Sequence, residues 1–232
     1  MRAVFVRRLI AAALGLAPLA AGASTTIDSD HLARALSQVA PAANPKVLAL
    51  ATKALKCVQQ RMPADTLSVI DYSLPSTTPR LWVFALGQQP RLLFHEWVAH
   101  GRNSGDNIPS HFSNVPGSLM SSLGTFVTDG TYNGHNGYSL RLKGIDGRFN
   151  DRAEERAIVI HGASYVNQAF ARSQGRLGRS WGCPAVRAGV AHRLIDAIAD
   201  RSVVFAYYPD PGWLQASRLL GDCGDGGGLS SR

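Results

Sequence analysis

The sequence holds 232 residues, with 24 Lys and Arg against 16 Asp and Glu, for a formal net charge of +8. That length is enough for one sizeable domain with a real core. It contains no run of five or six basic residues and no basic–aromatic stripe, so it lacks the footprint of a nucleic-acid module. The positive balance suits an anionic lipid surface or a carboxylate-rich polymer, or serves solubility alone.

In chain order, Arg2, Arg7 and Arg8 form a basic start, Leu9 to Ala21 an apolar run, and Ala21-Gly22-Ala23 a cleavage signal. These three features predict a secretory signal peptide over 1–23. The apolar run is too short to span a bilayer, which takes ~20 residues, so no stable membrane insertion is expected after cleavage. No Cys follows the run as a lipid attachment site. Cleavage leaves 209 residues carrying +5, because the three Arg are removed and no acid goes with them.

Leu32, Ala35, Leu36 and Val39 recur at helical spacing, and Val47, Leu48, Ala51, Ala54, Leu55 and Val58 do so again. Pro45 and Pro63 frame the second segment. The spacing predicts an N-terminal helical region over 24–63. The period then changes. Strands are predicted at 67–72, 80–86, 91–99, 138–142, 156–161 and 202–208, from β-branched and aromatic runs bounded by Pro, Gly and Ser. Asn133-Gly134 and Asn136-Gly137 mark tight turns. A helix is predicted over 187–200 from Val190, Leu194, Ile195 and Ile198. The residues from 221 to 232 form a Gly-rich tail, expected to be flexible. The fold class is therefore mainly β with helices, an α+β chain whose catalytic segment spans 64–220.

Three chemistries compete. Gly178-Arg179-Ser180-Trp181-Gly182 fits the G-x-S-x-G pattern of a serine hydrolase elbow, but that turn needs a strand before the Ser and a helix after it. Loop-like residues precede Ser180, Pro184 follows closely, and His192 is the one His left downstream. His95 and His100 flank Glu96 as in a zinc helix, yet they stand five apart rather than four. On a helix that separates them by about 140°, and on a strand it puts them on opposite faces. His111 and His135 lie in loops and carry little alone.

The third chemistry is the thiol of Cys183. A neighbouring imidazole that takes its proton makes a thiolate–imidazolium pair. His161 ends an apolar strand, Gly162 permits close backbone approach, and some twenty residues of loop and short helix return the chain to Cys183. Gly182 allows a turn whose N–H groups could form an oxyanion hole. On residue types alone, a buried Cys beside a structural His stands equally well. If Cys183 is the working thiol, Cys57 and Cys223 are left as a possible disulfide pair; a buried, unbridged Cys57 is the other reading.

Ile160-His161-Gly162-Ala163, followed by Gly178-Arg179-Ser180-Trp181-Gly182-Cys183-Pro184-Ala185-Val186, resembles the murein L,D-transpeptidase catalytic domain family. Phe112-Ser113-Asn114, Ser121 to Phe126 and Gly137 to Leu142 are similar to it as well, so the likeness runs over about 95–190. Where the commoner branch of that family reads Ser-His-Gly-Cys, this chain has Trp181 for the second His. Pro184 follows the Cys, and the next Arg is Arg187.

The resemblance implies a mainly β catalytic sandwich with Cys183 as nucleophile and His161 as base. The Gly162 carbonyl would orient the imidazole, and N–H groups at Gly182 and Cys183 would hold the oxyanion. Ser180, Trp181, Arg187 and Tyr138 fall on the substrate side. It implies peptidoglycan stem peptides as substrate, an exported and periplasmic location, and no metal or organic cofactor. The thioester could be resolved by an acceptor amine, as in a transpeptidase, or by water, as in an L,D-carboxypeptidase or wall-amide hydrolase. An inactive wall-binding protein would keep the fold without the chemistry. The oligomeric state is not readable from the sequence.

Overall fold

The structure is a computed structural model and describes residues 28–221 and residue 223. The expected signal peptide and almost all of the Gly-rich tail lie outside the described residues.

Two helices open the described chain, α1 (Ser29–Val39) and α2 (Pro45–Gln59). Each begins where its sequence supplies a cap. The Asp28 side chain accepts from the Asp30 N–H and that of Asn44 from the Lys46 N–H, with Pro45 preset in the first turn. Their apolar stripes, including Leu36, Leu48, Ala51 and Leu55, join the same core as the strands. That burial supplies most of what holds short helices in place.

Nine strands follow: β1 (Thr66–Asp71), β2 (Leu81–Ala85), β3 (Arg91–Glu96), β4 (Val98–Ala99), β5 (Gly124–Gly134), β6 (Gly137–Gly144), β7 (Val159–Ala163), β8 (Ala185–Arg187) and β9 (Ser202–Tyr207). Three further helices are α3 (Gln168–Gln174), α4 (Ala188–Ile198) and α5 (Pro211–Ala216). The strands form one mixed sheet in the order β3-β2-β1-β9-β5-β6-β7-β8-β4. The β1–β9 and β7–β8 pairs are parallel and the rest antiparallel.

The edge strands β3 and β4 are separated in sequence by Trp97 alone. Glu96 and Val98 therefore lie no more than about 7 Å apart along the backbone, so the sheet is rolled until its two edges meet. The residues 91–99, expected as one strand, are thus two, each on a different edge. This rolled α+β sheet agrees with the fold class read from the sequence. The expected strand at 156–161 starts three residues later, because 150–157 is a turn. Strands β5 and β8 and helix α5 were not expected.

Cys57 on α2 is bonded to Cys223, which ties the end of the described chain to the N-terminal helices and leaves Cys183 as the free thiol. Among the described residues no helix is long and apolar enough to cross a membrane.

Candidate active site

His161 reaches its place through the alternation of β7. Residues 160 and 162 face α4: an added Cβ on Gly162 would stand 2.8 Å from the Ala191 Cβ and 3.2 Å from the Ala188 Cα. Residues 159, 161 and 163 must then face the other side. The parallel neighbour of His161 is Ala185 on β8, and Cys183 lies two residues before it in the approaching turn. The thiol thus stands on the turn that leads into β8, beside the strand that carries the imidazole.

Hydrogen bonds lock the turn at 180–183. The Ser180 hydroxyl donates to the Cys183 carbonyl at 2.6 Å and accepts from the Gly182 N–H at 3.1 Å. The Ser121 hydroxyl donates to the Gly182 carbonyl at 3.1 Å. The Ser180 backbone bridges to the 100–102 segment: its N–H donates to the His100 carbonyl, and its carbonyl accepts from the Arg102 N–H. Gly182 has φ +127°, and a Cβ there would meet the Met120 carbonyl oxygen at 2.8 Å. Both the backbone conformation and the space require glycine.

Cys183 is half-buried, and its Sγ approaches the Ala157 carbonyl at 3.6 Å. Burial pushes the thiol up, opposed by the Val159 N–H that faces the sulfur and by the charge of Arg156. His161 is 5% exposed, and its Nδ1–H donates to the Gly162 carbonyl at 3.0 Å. A carbonyl can only accept, so the proton of the neutral ring sits on Nδ1 and Nε2 keeps its lone pair. Burial pulls the imidazole down and the Gly162 carbonyl holds it partly up.

The other residues expected at the site divide. Trp181 is 75% exposed on the rim of the turn. Ser180 is buried, with its hydroxyl spent inside the turn. The Gly182 N–H, expected as an oxyanion donor, is already given to Ser180, whereas the Cys183 N–H meets no acceptor among the described residues. Arg187 forms a bidentate pair with Glu96 at 2.6–2.8 Å and stands 5.5 Å from the Trp97 ring centroid. It lies four residues beyond Cys183, roughly 13 Å along an extended chain. Tyr138 is not brought to the thiol. Its hydroxyl donates to Asp196 at 2.8 Å and its ring stacks on His192, both on α4, across the sheet from His161.

The residues of the zinc alternative are engaged elsewhere. His95 stacks on Trp82. His100 is buried, takes a hydrogen bond from the buried Arg80 on Nδ1 and donates from Nε2 to the Gly105 carbonyl. Burial and the Arg80 charge drive it down to about 3.

Sequence reasoning missed four contributors. Tyr165 and Tyr72 both lie within range of the Cys183 charge, and burial pushes each up to about 12. Arg156 stands three residues before β7, and with Glu154 and Glu155 just ahead of it the sequence reads as an ordinary paired surface charge, so nothing in it signalled a role. Ala157 adopts φ +51°. It closes the 150–156 turn, with its N–H on the Glu154 carbonyl and the Ile158 N–H on the Ala153 carbonyl, and this left-handed closure aims its own carbonyl at the thiol.

A rolled mixed sheet that carries an imidazole on one strand and a free thiol on the turn into its neighbour has the parts that thiol–imidazole chemistry needs. Residues 39–207 match the family model of the L,D-transpeptidase catalytic domain, and the chain belongs to that family. Among curated proteins no relative matches it. Solved structures similar to it include the helical cell shape determining protein Pgp2 of Campylobacter jejuni, at 14% identity over 68% of this chain and 54% of that one, with a TM-score of 0.43. An L,D-transpeptidase from Mycobacterium smegmatis matches at 14% identity over 62% and 59%, TM-score 0.40. Another from Stackebrandtia nassauensis matches at 13% over 79% and 92%, TM-score 0.36. The chain spans just over half the length of Pgp2.

Proposed function

We propose that this protein is an exported, periplasmic peptidoglycan L,D-transpeptidase that works through a Cys183 thioester. The observation that carries the reading is the His161 ring. Its Nδ1–H is committed to the Gly162 carbonyl, which leaves Nε2 as a base on the strand beside the thiol.

Cys183 attacks the carbonyl of meso-diaminopimelate in a stem tetrapeptide while His161 takes the thiol proton. The Cys183 N–H is the backbone donor left for the oxyanion. Collapse expels D-Ala, which takes the proton back from the imidazolium, and an acceptor amine then resolves the thioester. Ser180 serves by shaping the turn, and the exposed Trp181 forms a wall of the cleft. Arg187 and Tyr138 act as structural residues. The segment 64–220 carries the chemistry, buttressed by the helices of 24–63. The positive mature charge suits a carboxylate-bearing wall polymer, and the Cys57–Cys223 disulfide suits an oxidising compartment.

The test is incubation of the mature protein with purified muropeptides, products read by mass spectrometry, beside Cys183→Ala and Ser180→Ala. Cross-linked dimers that vanish with Cys183→Ala support the proposal. Tripeptides without dimers reassign the site to an L,D-carboxypeptidase, and full activity in Cys183→Ala removes the mechanism.

A further inference from the structure

Arg156 is half-buried, yet among the described residues it forms no ion pair with a carboxylate. Its guanidinium is held by neutral groups of one loop. Nη1 donates to the Ser113 carbonyl at 2.6 Å and to the Ser122 hydroxyl; Nη2 donates to the Met120 carbonyl at 2.6 Å and to the Ser118 hydroxyl at 3.2 Å. A Cβ on Gly182 would stand 3.3 Å from Nη2, so the cation rests against the residue that precedes Cys183. Withdrawing a cation from water without an anion beside it costs stability. Four neutral acceptors meet its hydrogen-bonding needs and leave its charge uncompensated.

The missing anion is one the reaction creates. Resting on the reading of Cys183 as nucleophile, we propose that Arg156 is a positioning residue that holds a fixed positive charge under the 180–183 turn, as counter-charge to the Cys183 thiolate and to the oxyanion that follows. When the proton leaves Sγ for His161 Nε2, both electrons of the S–H bond stay on sulfur. Attack makes the S–C bond and moves the carbonyl π pair onto oxygen. At each stage one negative charge lies near Arg156, and the imidazolium carries the proton until the leaving amine takes it.

The titratable and charged groups on the elements around the sulfur are few. His161 comes from β7, Tyr165 from the segment after it, Tyr72 from the end of β1, and Arg156 from the turn before β7. Both tyrosines are held neutral by burial, and Arg156 is the cation whose charge favours the thiolate. Arg152, on the same turn as Arg156, is the other cation near it and is paired with Glu155.

The experiment follows iodoacetamide alkylation of Cys183 against pH in the folded protein, with Cys57 and Cys223 bridged. Arg156→Gln should raise the alkylation midpoint by about one pH unit, the usual effect of losing a nearby opposite charge. That equals a roughly tenfold loss of thiolate at any pH below it. Ser118→Asp sets a carboxylate on Nη2, keeps the loop anchored and neutralises the cation, so it should raise the midpoint in the same way even if Arg156→Gln does not fold. Ser122→Ala removes an anchor but no charge and should leave the midpoint in place. An unmoved midpoint in Ser118→Asp overturns the inference, as does a shift in Ser122→Ala equal to that in Ser118→Asp. Alkylation needs no wall substrate, so these outcomes stand apart from the muropeptide test of Cys183.

Discussion

Burial pulls the His161 imidazole below its ordinary range and pushes the Cys183 thiol above its own, so at neutral pH both rest uncharged. In the proposed mechanism the proton passes from sulfur to His161 Nε2 as the reaction begins. Only the unprotonated ring can take the proton, and the lowered imidazole stays unprotonated further into acid than a free one. The acid limb of kcat/KM on a tetrapeptide donor should therefore have its midpoint below the ordinary histidine value of about 6.5. His161→Gln should cost about 10²–10⁴-fold in kcat and remove that limb. A midpoint above 6.5 would contradict the assignment of His161 as the base. Cys183 and His161 were legible because each sits at the end of a recognisable pattern, one a glycine-backed turn and the other an apolar strand. The Ala157 carbonyl, the Val159 N–H and the Arg156 charge were not. They reach the sulfur through the path of the 150–157 turn, and backbone direction leaves no mark on residue type.

At the scale of elements, β7 holds His161 in line because α4 packs directly on the bare backbone at Gly162. A methyl there has no room against the Ala191 Cβ or the Ala188 Cα. Gly162→Ala should destabilise the protein by about 1–3 kcal/mol, as overpacking of a close contact does. It should also lower activity by tilting β7 beneath the imidazole. Adding Ala191→Gly returns space and should recover part of the loss, read as a coupling energy in a double-mutant cycle by denaturant melts. Additive costs would mean that Gly162 matters for its backbone freedom rather than for the contact. Elements with strong periodicity, α2, β1, β9 and α4, were visible in the sequence. Strand β5 was not, because Thr125, Thr128, Asp129 and Thr131 interrupt its apolar residues and a register shift falls between Thr128 and Thr131. Strand β8 is three residues long and exists because β7 and β4 flank it, which is tertiary information.

For the whole molecule, the single residue between β3 and β4 rolls the sheet and brings the 97–102 segment beside the 180–183 turn, where Ser180 bridges to Gly101. The sequence hid this closure because 91–99 reads as one unbroken β run. Closure leaves the two N-terminal helices as the outer layer over the β1–β9 side, and the Cys57–Cys223 bridge fastens the far end of the chain to that layer across a separation of 166 residues. A bridge closing so long a loop restricts the unfolded chain strongly, with a typical native contribution of about 2–4 kcal/mol. In a Cys183→Ala background, reduction should lower the guanidinium midpoint by an amount equivalent to that range, and Cys57→Ala with Cys223→Ala should do the same without reductant. With Cys183 retained, its alkylation midpoint in the Cys57→Ala, Cys223→Ala protein should not follow, because the bridge joins α2 to the chain end and touches neither β7 nor the 180–183 turn. A reduced protein with unchanged stability would show that the bridge fastens only the last residues. A Cys57→Ala, Cys223→Ala protein whose Cys183 midpoint moves would show that the helical layer sets the geometry of the thiol as well as supporting the sheet.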